Sequence, residues 1–552
     1  MGKNRRRFFR TSVSLPAAKS GFFSAYRGAS LRPYAGLAGL VLAHACALAV
    51  AQQPAPPGGA QPDASPPASG PPVEAAPPDA PGPVLTLEEC VKFALARGFD
   101  LEIERQTLSI AQDNVPIARS TFLPIFSATT GKTVTRTAID PAFGLPATMS
   151  STLDAGVGVS QRLLTGTQFS LDLNNNHFNT DPAIAALNPA YTADVTLSVR
   201  QPLLKGFGTR LNSQVIRRAE LGLDVADNNY ESRALDVIQG TENAYYLLTG
   251  ARDQLQVFRA SLQLSQALLS EAQSRRTAGM ATGLDVLQAE VGVANARRSV
   301  LEAQRTVHAS EDSLTALIGR FQFDTPIGAT RAEEDASSEP APTIAQSYRL
   351  ATERHPALRS ARAGLEIAKL DVAFAHNDLL PSVDLDLALG FNGNDSTRRG
   401  SFSGLTEPDG HNWQAGISIT YPLGRVAEKA RFRQSRYALN RAELGEKQLE
   451  QDVLVAVRNA VRDVETSRES VTIATQAADL AQRQYEAETD RFRAGLSTSR
   501  RVLEAQTDLE LARVANLQAR LDLQTARAAL RRLEGTSLQR YGITLASLTP
   551  GR

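Results

Sequence analysis

The sequence predicts an α+β membrane protein in which a transmembrane β-barrel continues into long coiled-coil helices. Three observations support this fold class. The chain contains two copies of one unit, each copy contains a long helical segment without proline, and stretches with apolar residues at every second position separate the helices.

The composition gives little support for catalysis or for nucleic-acid binding. The 552 residues carry a formal net charge of +1 and include one Trp, three Met, two Cys and six His. A nearly neutral chain has no global attraction for nucleic acid. The histidines are scattered without a pair at i, i+4, and Gly206-Phe207-Gly208 lacks the rest of a nucleotide fingerprint. We therefore expect no enzyme, no cofactor and no metal site.

The N-terminus has the order of a secretory signal. Residues 1–33 are basic, an apolar run covers 34–51, and Ala49-Val50-Ala51 precedes Gln52. This order predicts a signal peptide over 1–51, with a retained membrane anchor as the alternative. Lipidation at Cys46 is a weaker alternative, because the usual Leu three residues earlier is missing. Residues 52–83 are rich in Pro, Ala and Gly and predict a disordered leader.

Two repeats organise the rest of the chain. Thr86–Glu89 and Thr343–Gln346 are capping-box sequences that lie 257 residues apart. Gly279 and Gly495 recur in similar surroundings at an offset of 216 residues. The predicted boundaries are a first repeat over 84–325, a linker over 326–342, a second repeat over 343–544 and a C-terminal tail over 545–552.

Long helices close each repeat. No Pro interrupts 203–325 or 423–549, and we predict helices over 210–276 and 424–493, each about 100 Å long. Each is predicted to return through a Gly turn as a helix of about 35 residues, roughly 52 Å long. Two apolar stripes on the second return helix predict two helical neighbours, as in a closed ring. A simple antiparallel pair would need only one stripe.

Alternation with period 2 predicts strands between the helices. Four segments alternate in the first repeat, and one hairpin alternates in the second, between 382 and 421. The four segments are 125–137, 153–163, 168–178 and 191–201. Polar or Gly/Pro-rich segments over 138–152, 179–190 and 392–412 are predicted to be outer loops. The prolines at the four helix–strand junctions are Pro124, Pro202, Pro381 and Pro422.

The two faces of these strands predict two environments. An apolar outer face and a polar inner face are typical of a membrane barrel, although a sheet packed on a soluble core alternates identically. We favour the barrel because no other segment is left to cover the apolar face. Asp384 and Asp386 are predicted to face the lumen. The positions predicted to face lipid are Leu385, Leu387, Leu389, Trp413, Ile417 and Ile419.

From residue 84 to about 544 the chain resembles the TolC-like outer-membrane efflux proteins. The resemblance is carried by the two capping-box helices, the two Leu-Pro exits, the segment Gln201–Gly208 and the tip segments over 276–287 and 493–498. It implies a homotrimer with a barrel in the bacterial outer membrane and a helical tunnel in the periplasm. Family barrels usually take four strands per protomer, so the additional first-repeat hairpin departs from the family pattern.

The resemblance also implies partners and sites. It implies docking to a periplasmic adaptor (a membrane fusion protein) and an inner-membrane transporter. The candidate docking tips are Ala278, Gly279, Met280 and Ala281, together with Ala494, Gly495, Leu496 and Ser497. Plain Gly turns are the alternative. Family members close the tunnel with inward acidic residues, and Glu486 and Asp490 are candidates for this constriction. A solvated face beside Arg493 is an equal alternative.

These features predict a passive export duct opened by its partners, in a tripartite efflux or a type I secretion system. The alternative is a periplasmic coiled-coil structural or adaptor protein without a channel. An adaptor would carry one long helical hairpin, whereas here two hairpins alternate with strands. The sequence has no Met/His-rich patch that would favour copper as cargo.

Overall fold

The computed structural model describes residues 85–137, 148–181, 187–319, 342–407 and 410–544. The predicted signal peptide with Cys46, the leader, the tail, nearly all of the linker and part of each outer loop lie outside the described residues.

The two repeats share a common order of main elements, but the first has four strands and the second has two strands with a short helix between them. The first contains α1 Leu87–Arg97, α2 Phe99–Ser120, β1 Ile125–Thr137, β2 Thr148–Arg162, β3 Gln168–Thr180, β4 Ala190–Pro202, α3 Thr209–Asn212, α4 Gln214–Thr277 and α5 Gly283–Leu317. The second contains α6 Ile344–Arg354, α7 Pro356–Asn377, β5 Ser382–Asp395, α8 Arg398–Gly404, β6 His411–Thr420, α9 Val426–Arg493, α10 Ser499–Glu534 and α11 Ser537–Arg540. Two helices, strands, a long helix and its return helix therefore occur twice.

The two predicted capping boxes differ in the structure. Thr86 Oγ1 accepts a hydrogen bond from the Glu89 backbone N–H at 3.3 Å, and a Glu89 carboxylate oxygen accepts from the Thr86 N–H at 3.0 Å. The Thr343 side chain makes no capping hydrogen bond. The prediction of a second capping box is therefore wrong. Gln346 offers only a neutral amide for the reciprocal bond to the Thr343 N–H, which is a weaker acceptor than the Glu89 carboxylate, so the pair that would hold the Thr343 side chain in place is weaker.

The long helices lie close to their predicted bounds. α4 has 64 residues and α9 has 68, and their return helices have 35 and 36 residues. The first long helix begins later than predicted because Asn212 interrupts it. The Asn212 amide donates to the carbonyls of Gly206 and Gly208 at 2.9 Å each, which holds a turn before α4. Among the described residues, no helix combines the length and the apolarity needed to cross a bilayer.

The core is built around α4, which packs against α1, α2, α5, α7 and α10. Cys90, Tyr245 and Leu538 lie in its largest buried cluster. The Tyr245 hydroxyl donates to the Leu85 carbonyl at 3.0 Å, which fixes the start of the first repeat to α4. Helix α10 packs against both α9 and α4, so the prediction of two neighbours for this helix is confirmed.

The six strands form one antiparallel sheet in the order β1-β2-β3-β4-β5-β6. β4 and β5 come from different repeats and pair directly, with Leu197 opposite Leu389. Both predicted first-repeat hairpins, β1–β2 and β3–β4, are present. The extra hairpin is therefore confirmed. β2 begins at Thr148 and β3 reaches Thr180, so the first two outer loops are shorter than predicted.

The third outer loop contains a helix that the sequence does not predict. β5 extends to Asp395, and α8 occupies seven residues of the segment 392–412. Thr397 caps α8, because its Oγ1 accepts from the Gly400 N–H at 3.1 Å. Gly and Ser are poor helix formers, and packing of α8 against β4 and β5 stabilises it instead.

Candidate functional surfaces

The register separates the sheet into an apolar face and a polar face. Opposite residues in an antiparallel pair lie on the same face. One row that crosses all six strands is Phe126, Val159, Leu171, Leu197, Leu389 and Trp413. The row beside it, on the other face, contains Ile125, Ser160, Ser170, Ser198, Ala388 and Gln414. Because side chains alternate with period 2, this separation holds along the strands.

The apolar face carries the side chains that were predicted to face lipid. The exposed ones are Leu387, Leu389, Trp413, Ile417 and Ile419, and Leu385 is half-buried. Trp413 is 74% exposed. From Val383 to Phe391 the apolar positions cover about 27 Å along β5, close to the apolar band of about 25 Å found in membrane barrels. Contact of this face with lipid remains a prediction.

The polar face carries Asp384 and Asp386, which share one basic partner. The Arg200 guanidinium lies 3.2 Å from an Asp386 carboxylate oxygen and 3.9 Å from one of Asp384. Ser418 Oγ donates to Asp386 at 2.9 Å, and Ser382 Oγ donates to Asp384 at 2.8 Å. Sequence reasoning missed Arg200, although its place in the alternation of β4 could have shown which face it occupies.

The polar face also carries a cavity. This cavity of 420 Å³ opens near the helix junctions and is lined by Ser160, Ser170, Ser198 and Arg200, together with Leu123 and Ile125. Farther along the strands, Gly156 and Gly158 leave room for their neighbours, because a Cβ at either position would collide with the side chain of Asn174 or Asp172. This face is therefore lined by small and hydrogen-bonding groups.

The helix–strand junctions hold the two repeats together. Pro124 precedes β1, Pro202 ends β4, Pro381 precedes β5 and Pro422 follows β6, as predicted. Three contacts cross between the repeats here. The Leu203 N–H donates to the Val383 carbonyl at 2.7 Å, the Gly206 N–H donates to Asn377 Oδ1 at 2.9 Å, and Lys205 Nζ lies 3.0 Å from Asp378 Oδ1.

The two predicted tips have the same backbone geometry. Gly279 and Gly495 have φ of +73° and +79°, which glycine adopts without steric cost. The next residue, Met280 or Leu496, donates its N–H to the carbonyl five residues earlier at 2.8 Å. This is the Schellman arrangement that ends a helix. Met280 is 75% exposed and Leu496 is 71% exposed, so each turn presents a bare apolar side chain at its end.

Arg275 joins the two tips, and sequence reasoning missed it. Its guanidinium donates to the carbonyls of Phe492 at 2.9 Å and Arg493 at 3.2 Å, and lies 4.3 Å from the Phe492 ring centroid.

A second contact joins the two hairpins near the tips, where Ser499 Oγ donates to Asp285 Oδ1 at 3.3 Å. Hydrogen bonds from Thr282 hold the pKa of Asp285 below its usual value, so this carboxylate stays charged.

The candidate constriction lies on an exposed part of α9. Glu486 and Asp490 are both exposed and one helical turn apart. Glu486 accepts from the Gln482 side chain at 2.5 Å, and Asp490 lies 3.3 Å from the Arg493 guanidinium. Both the tunnel constriction and the solvated face remain compatible with these contacts.

Within the described ranges, no group of three or more His, Cys, Asp or Glu residues could hold a metal ion.

Two further polar links join α4 to the C-terminal part of the chain. Gln506 Nε2 on α10 donates to the Ser261 carbonyl and to Ser265 Oγ, both at 2.7 Å, in a buried interface. The fully buried Glu242 accepts from the Tyr541 hydroxyl at 2.6 Å and from Arg531 at 3.2 Å. Burial and the Glu242 carboxylate raise the pKa of Tyr541 far above its usual value, so the hydroxyl remains a donor.

The described unit has two unpaired lateral edges. One consists of α2 and β1: β1 pairs only with β2, and Ile103, Ile110 and Ile117 are exposed on α2 at heptad spacing. The other consists of β6 and α9: β6 pairs only with β5, and Ile473 and Leu480 are exposed seven residues apart on α9. Each edge therefore combines an open strand with an apolar helical stripe.

Comparison with known proteins shows a family match over more than half of the chain. The family model described as outer membrane efflux protein matches residues 168–320 and 347–536. The match begins at β3, so α1, α2 and the β1–β2 hairpin lie before it. Two matched segments separated by a short gap correspond to the two repeats of the chain.

Individual relatives and a solved structure are similar in the same way. The chain is 24% identical over 364 residues to the outer membrane efflux protein BepC of Brucella suis, covering 65% of this chain and 76% of BepC. It is 26% identical over 385 residues to the pyoverdine export outer membrane protein OpmQ of Pseudomonas aeruginosa, covering 67% and 73%. The structure of the outer-membrane channel OprN superposes with a TM-score of 0.62 at 18% identity, covering 81% and 89%. The last similarity shows a shared fold.

Proposed function

This chain belongs to the outer membrane efflux protein family, and from that premise we propose how its surfaces work. It is an outer-membrane efflux channel with a periplasmic helical extension, which decides against the adaptor and spacer alternative. The family is a channel family rather than an enzyme family.

The two-faced sheet is the observation that carries the proposal. Its apolar face is exposed over the length of a membrane band, and its polar face carries Ser, Asn, Asp and Arg200. Only a closed barrel satisfies the backbone of edge strands inside lipid. We place the apolar face against acyl chains and the polar face, with Asp384 and Asp386, around a water-filled lumen.

The lateral edges indicate how the barrel closes. Two different edges on one chain pair head to tail and form a ring when the rotation closes. β6 of one copy pairs with β1 of the next, and the α9 stripe packs against α2 and the helices below it. The family resemblance implies three copies. Three copies of the six-stranded sheet make an eighteen-stranded barrel, a size that leaves an aqueous channel.

The fluorescence of Trp413 provides a direct test, because it is the only Trp in the sequence. Lipids with brominated acyl chains quench indole fluorescence on contact. We expect strong quenching of the native chain reconstituted in such lipids. The matched control combines Trp413→Phe with Gln414→Trp, which moves the indole to the polar face one residue away, and we expect little quenching. A native chain that stays soluble and monomeric, or equal quenching of both proteins, would contradict the barrel.

We assign partner docking to the tips, which offer exposed Met280 and Leu496 beside glycines with open space around them. A periplasmic adaptor with a helical hairpin would pack against these turns. Opening then requires the tips to separate, because Arg275 ties them together. Glu486 and Asp490, repeated in three copies, would form an acidic ring that favours cations.

Substitution of Gly495 tests docking. Gly495→Arg adds a long charged side chain to the tip, and we expect it to abolish export while the heat-sensitive trimer persists. Gly495→Ala introduces the same backbone strain without the bulk and should retain most export. Export assays in cells that contain the pump, with trimers scored on gels, distinguish the two. Full export by Gly495→Arg would remove the docking assignment.

A further inference from the structure

Helix α8 lies on the outward, apolar face of the sheet. The Cβ of residue 393 points to the same face as the side chains of Leu389 and Phe391, because side chains alternate along β5. A Cβ on Gly393 would meet the Ser401 carbonyl oxygen and Gly404. Ala193, which occupies this face on β4 opposite Gly393, is fully buried. Small residues on two strands therefore form the seat on which α8 rests.

This seat begins where the apolar band ends. The last apolar row contains Phe391, and the next row contains Thr130, Ala155, Asn175, Ala193 and Gly393. The helices α4 and α9 are joined to the opposite ends of the strands. In the proposed barrel, α8 thus sits at the rim farthest from the periplasmic helices, at the depth of the outer-leaflet headgroups.

Basic residues are exposed at this rim, together with the acidic Asp181 and Glu407 and the apolar Val134. Arg398 and Arg399 are exposed on α8, and Lys132 and Arg136 are exposed on the same face of β1 beyond the apolar band. None of these four forms an ion pair with a described residue. Nearby, the Asp395 carboxylate accepts hydrogen bonds from the Thr397 N–H at 2.7 Å and its hydroxyl at 2.9 Å. The Asp395 carboxylate is therefore occupied by hydrogen bonds at the start of α8, and it does not form an ion pair with the four basic side chains.

We propose that α8 binds the phosphate groups of outer-leaflet glycolipid, with Arg398 and Arg399 as the principal contacts. The inference rests on the proposed barrel, which places this rim in the headgroup layer. Guanidinium groups form paired hydrogen bonds with phosphate oxygens, and exposed Phe402 adds an aromatic ring at the depth where such rings are favoured. Closing the ring brings β1 of the next copy, with Lys132 and Arg136, beside β6.

Binding of labelled lipid A to the full-length channel in neutral detergent tests the inference. We expect Arg398→Glu with Arg399→Glu to weaken binding of bisphosphorylated lipid A at least tenfold, since two attractive charges become repulsive toward phosphate. Arg398→Lys with Arg399→Lys keeps both charges but loses the paired hydrogen bonds, and it should weaken binding clearly less than the Glu variant does. Lipid A without its phosphates should bind the native and Glu variants equally.

Three outcomes would overturn the inference. They are equal binding of phosphorylated lipid A to the native and Glu variants, the same loss with dephosphorylated lipid A, and saturation of the site by inorganic phosphate alone. The last would indicate a free phosphate site rather than a lipid site. Quenching of Trp413 by brominated lipid, measured on every variant, separates these results from a failure of the barrel itself. A quenched native chain with unchanged lipid A binding removes only the rim assignment.

Discussion

Helices α4 and α9 are the long helices of two repeats, yet they occupy different environments. α4 packs against seven helices and buries 19 of its 64 residues, whereas α9 buries 6 of its 68. α4 carries the buried Glu242 and Tyr245, while α9 exposes Ile473 and Leu480. Duplication produced two similar helices, and their positions made one a core element and the other an edge.

The difference shows where the chain relies on its own fold and where it relies on another copy. The exposed apolar side chains of α9 mark an interaction site. Helix α9 belongs to the same unpaired edge as the open strand β6, so we assign both to the next protomer. Four sets of variants test this contrast.

The largest effect is expected at the α9 edge. Ile473→Asp with Leu480→Asp places two charges in the proposed ring interface, and we expect complete loss of the trimer and of export. The control is Leu511→Asp, because Leu511 is equally exposed but lies on α10, which already has a neighbour on each side. Gel mobility without heating reports the trimer. Normal trimers formed by the double variant would show that the exposed apolar residues of α9 are not an interface between protomers.

Truncation inside the α4 core should act on the fold itself. Leu248 is fully buried, and Leu248→Ala should lower the free energy of unfolding by about 2–5 kcal/mol through the lost contacts and the cavity. Leu480→Ala on α9 should change the stability of the single chain by less than about 0.5 kcal/mol. Denaturant unfolding measures both. A similar loss for the two variants would show that α9 is as much a core element as α4.

Arg275 on α4 donates hydrogen bonds to the end of α9 at the tips. We expect its substitution to have an effect of intermediate size. Arg275→Met keeps an apolar stem beside Phe492 but removes both hydrogen bonds to the α9 carbonyls. We expect a larger single-channel conductance, with a stability change of no more than about 1 kcal/mol because the side chain is partly exposed. Arg276→Met alters the adjacent exposed arginine and should leave the conductance at its native value. Equal conductance in both variants would exclude a tip clamp.

The smallest effect is a pH dependence at His355, beside α4. Burial lowers the pKa of His355 below its usual value near 6.5, with contributions from Arg532 and Arg359, while Asp236 opposes the shift. The unfolded chain therefore binds this proton more readily than the folded chain. Stability is fully present above pH 6.5 and falls as the pH drops toward the lowered pKa. His355→Gln should reduce this slope in thermal unfolding between pH 7.5 and 5. An unchanged slope would show that His355 does not titrate differently on folding.

Much of the local structure could be predicted from spacing. The period-2 alternation located all six strands, including the extra hairpin, and the 3-4 pattern located α5 and α10. The four prolines marked the junctions because proline cannot continue a helix. Thr343 shows the limit of this reasoning, since a capping sequence was present but the Thr343 side chain makes no capping bond.

The surfaces that matter for function depended on pairing across long distances. Arg200 meets Asp384 and Asp386 only because β4 of one repeat pairs with β5 of the other. Arg275 donates to the end of α9 only because the α4–α5 hairpin and the α9–α10 hairpin lie side by side. The spacing of these residues in the sequence does not indicate that Arg200 meets the two aspartates or that Arg275 meets the end of α9.

The sequence alone determined the order and approximate length of the strands and of the long helices, and the face on which each strand residue lies, but it did not predict α8. These follow from backbone periodicity, which is a local property of the chain. The tertiary structure decided that α4 is central and α9 lies at an edge, that the repeats join at β4 and β5, and that α8 rests on the outward rim. Those arrangements depend on which surfaces pack against each other and exclude water. The similar sequence patterns of the two repeats do not indicate which of these surfaces pack.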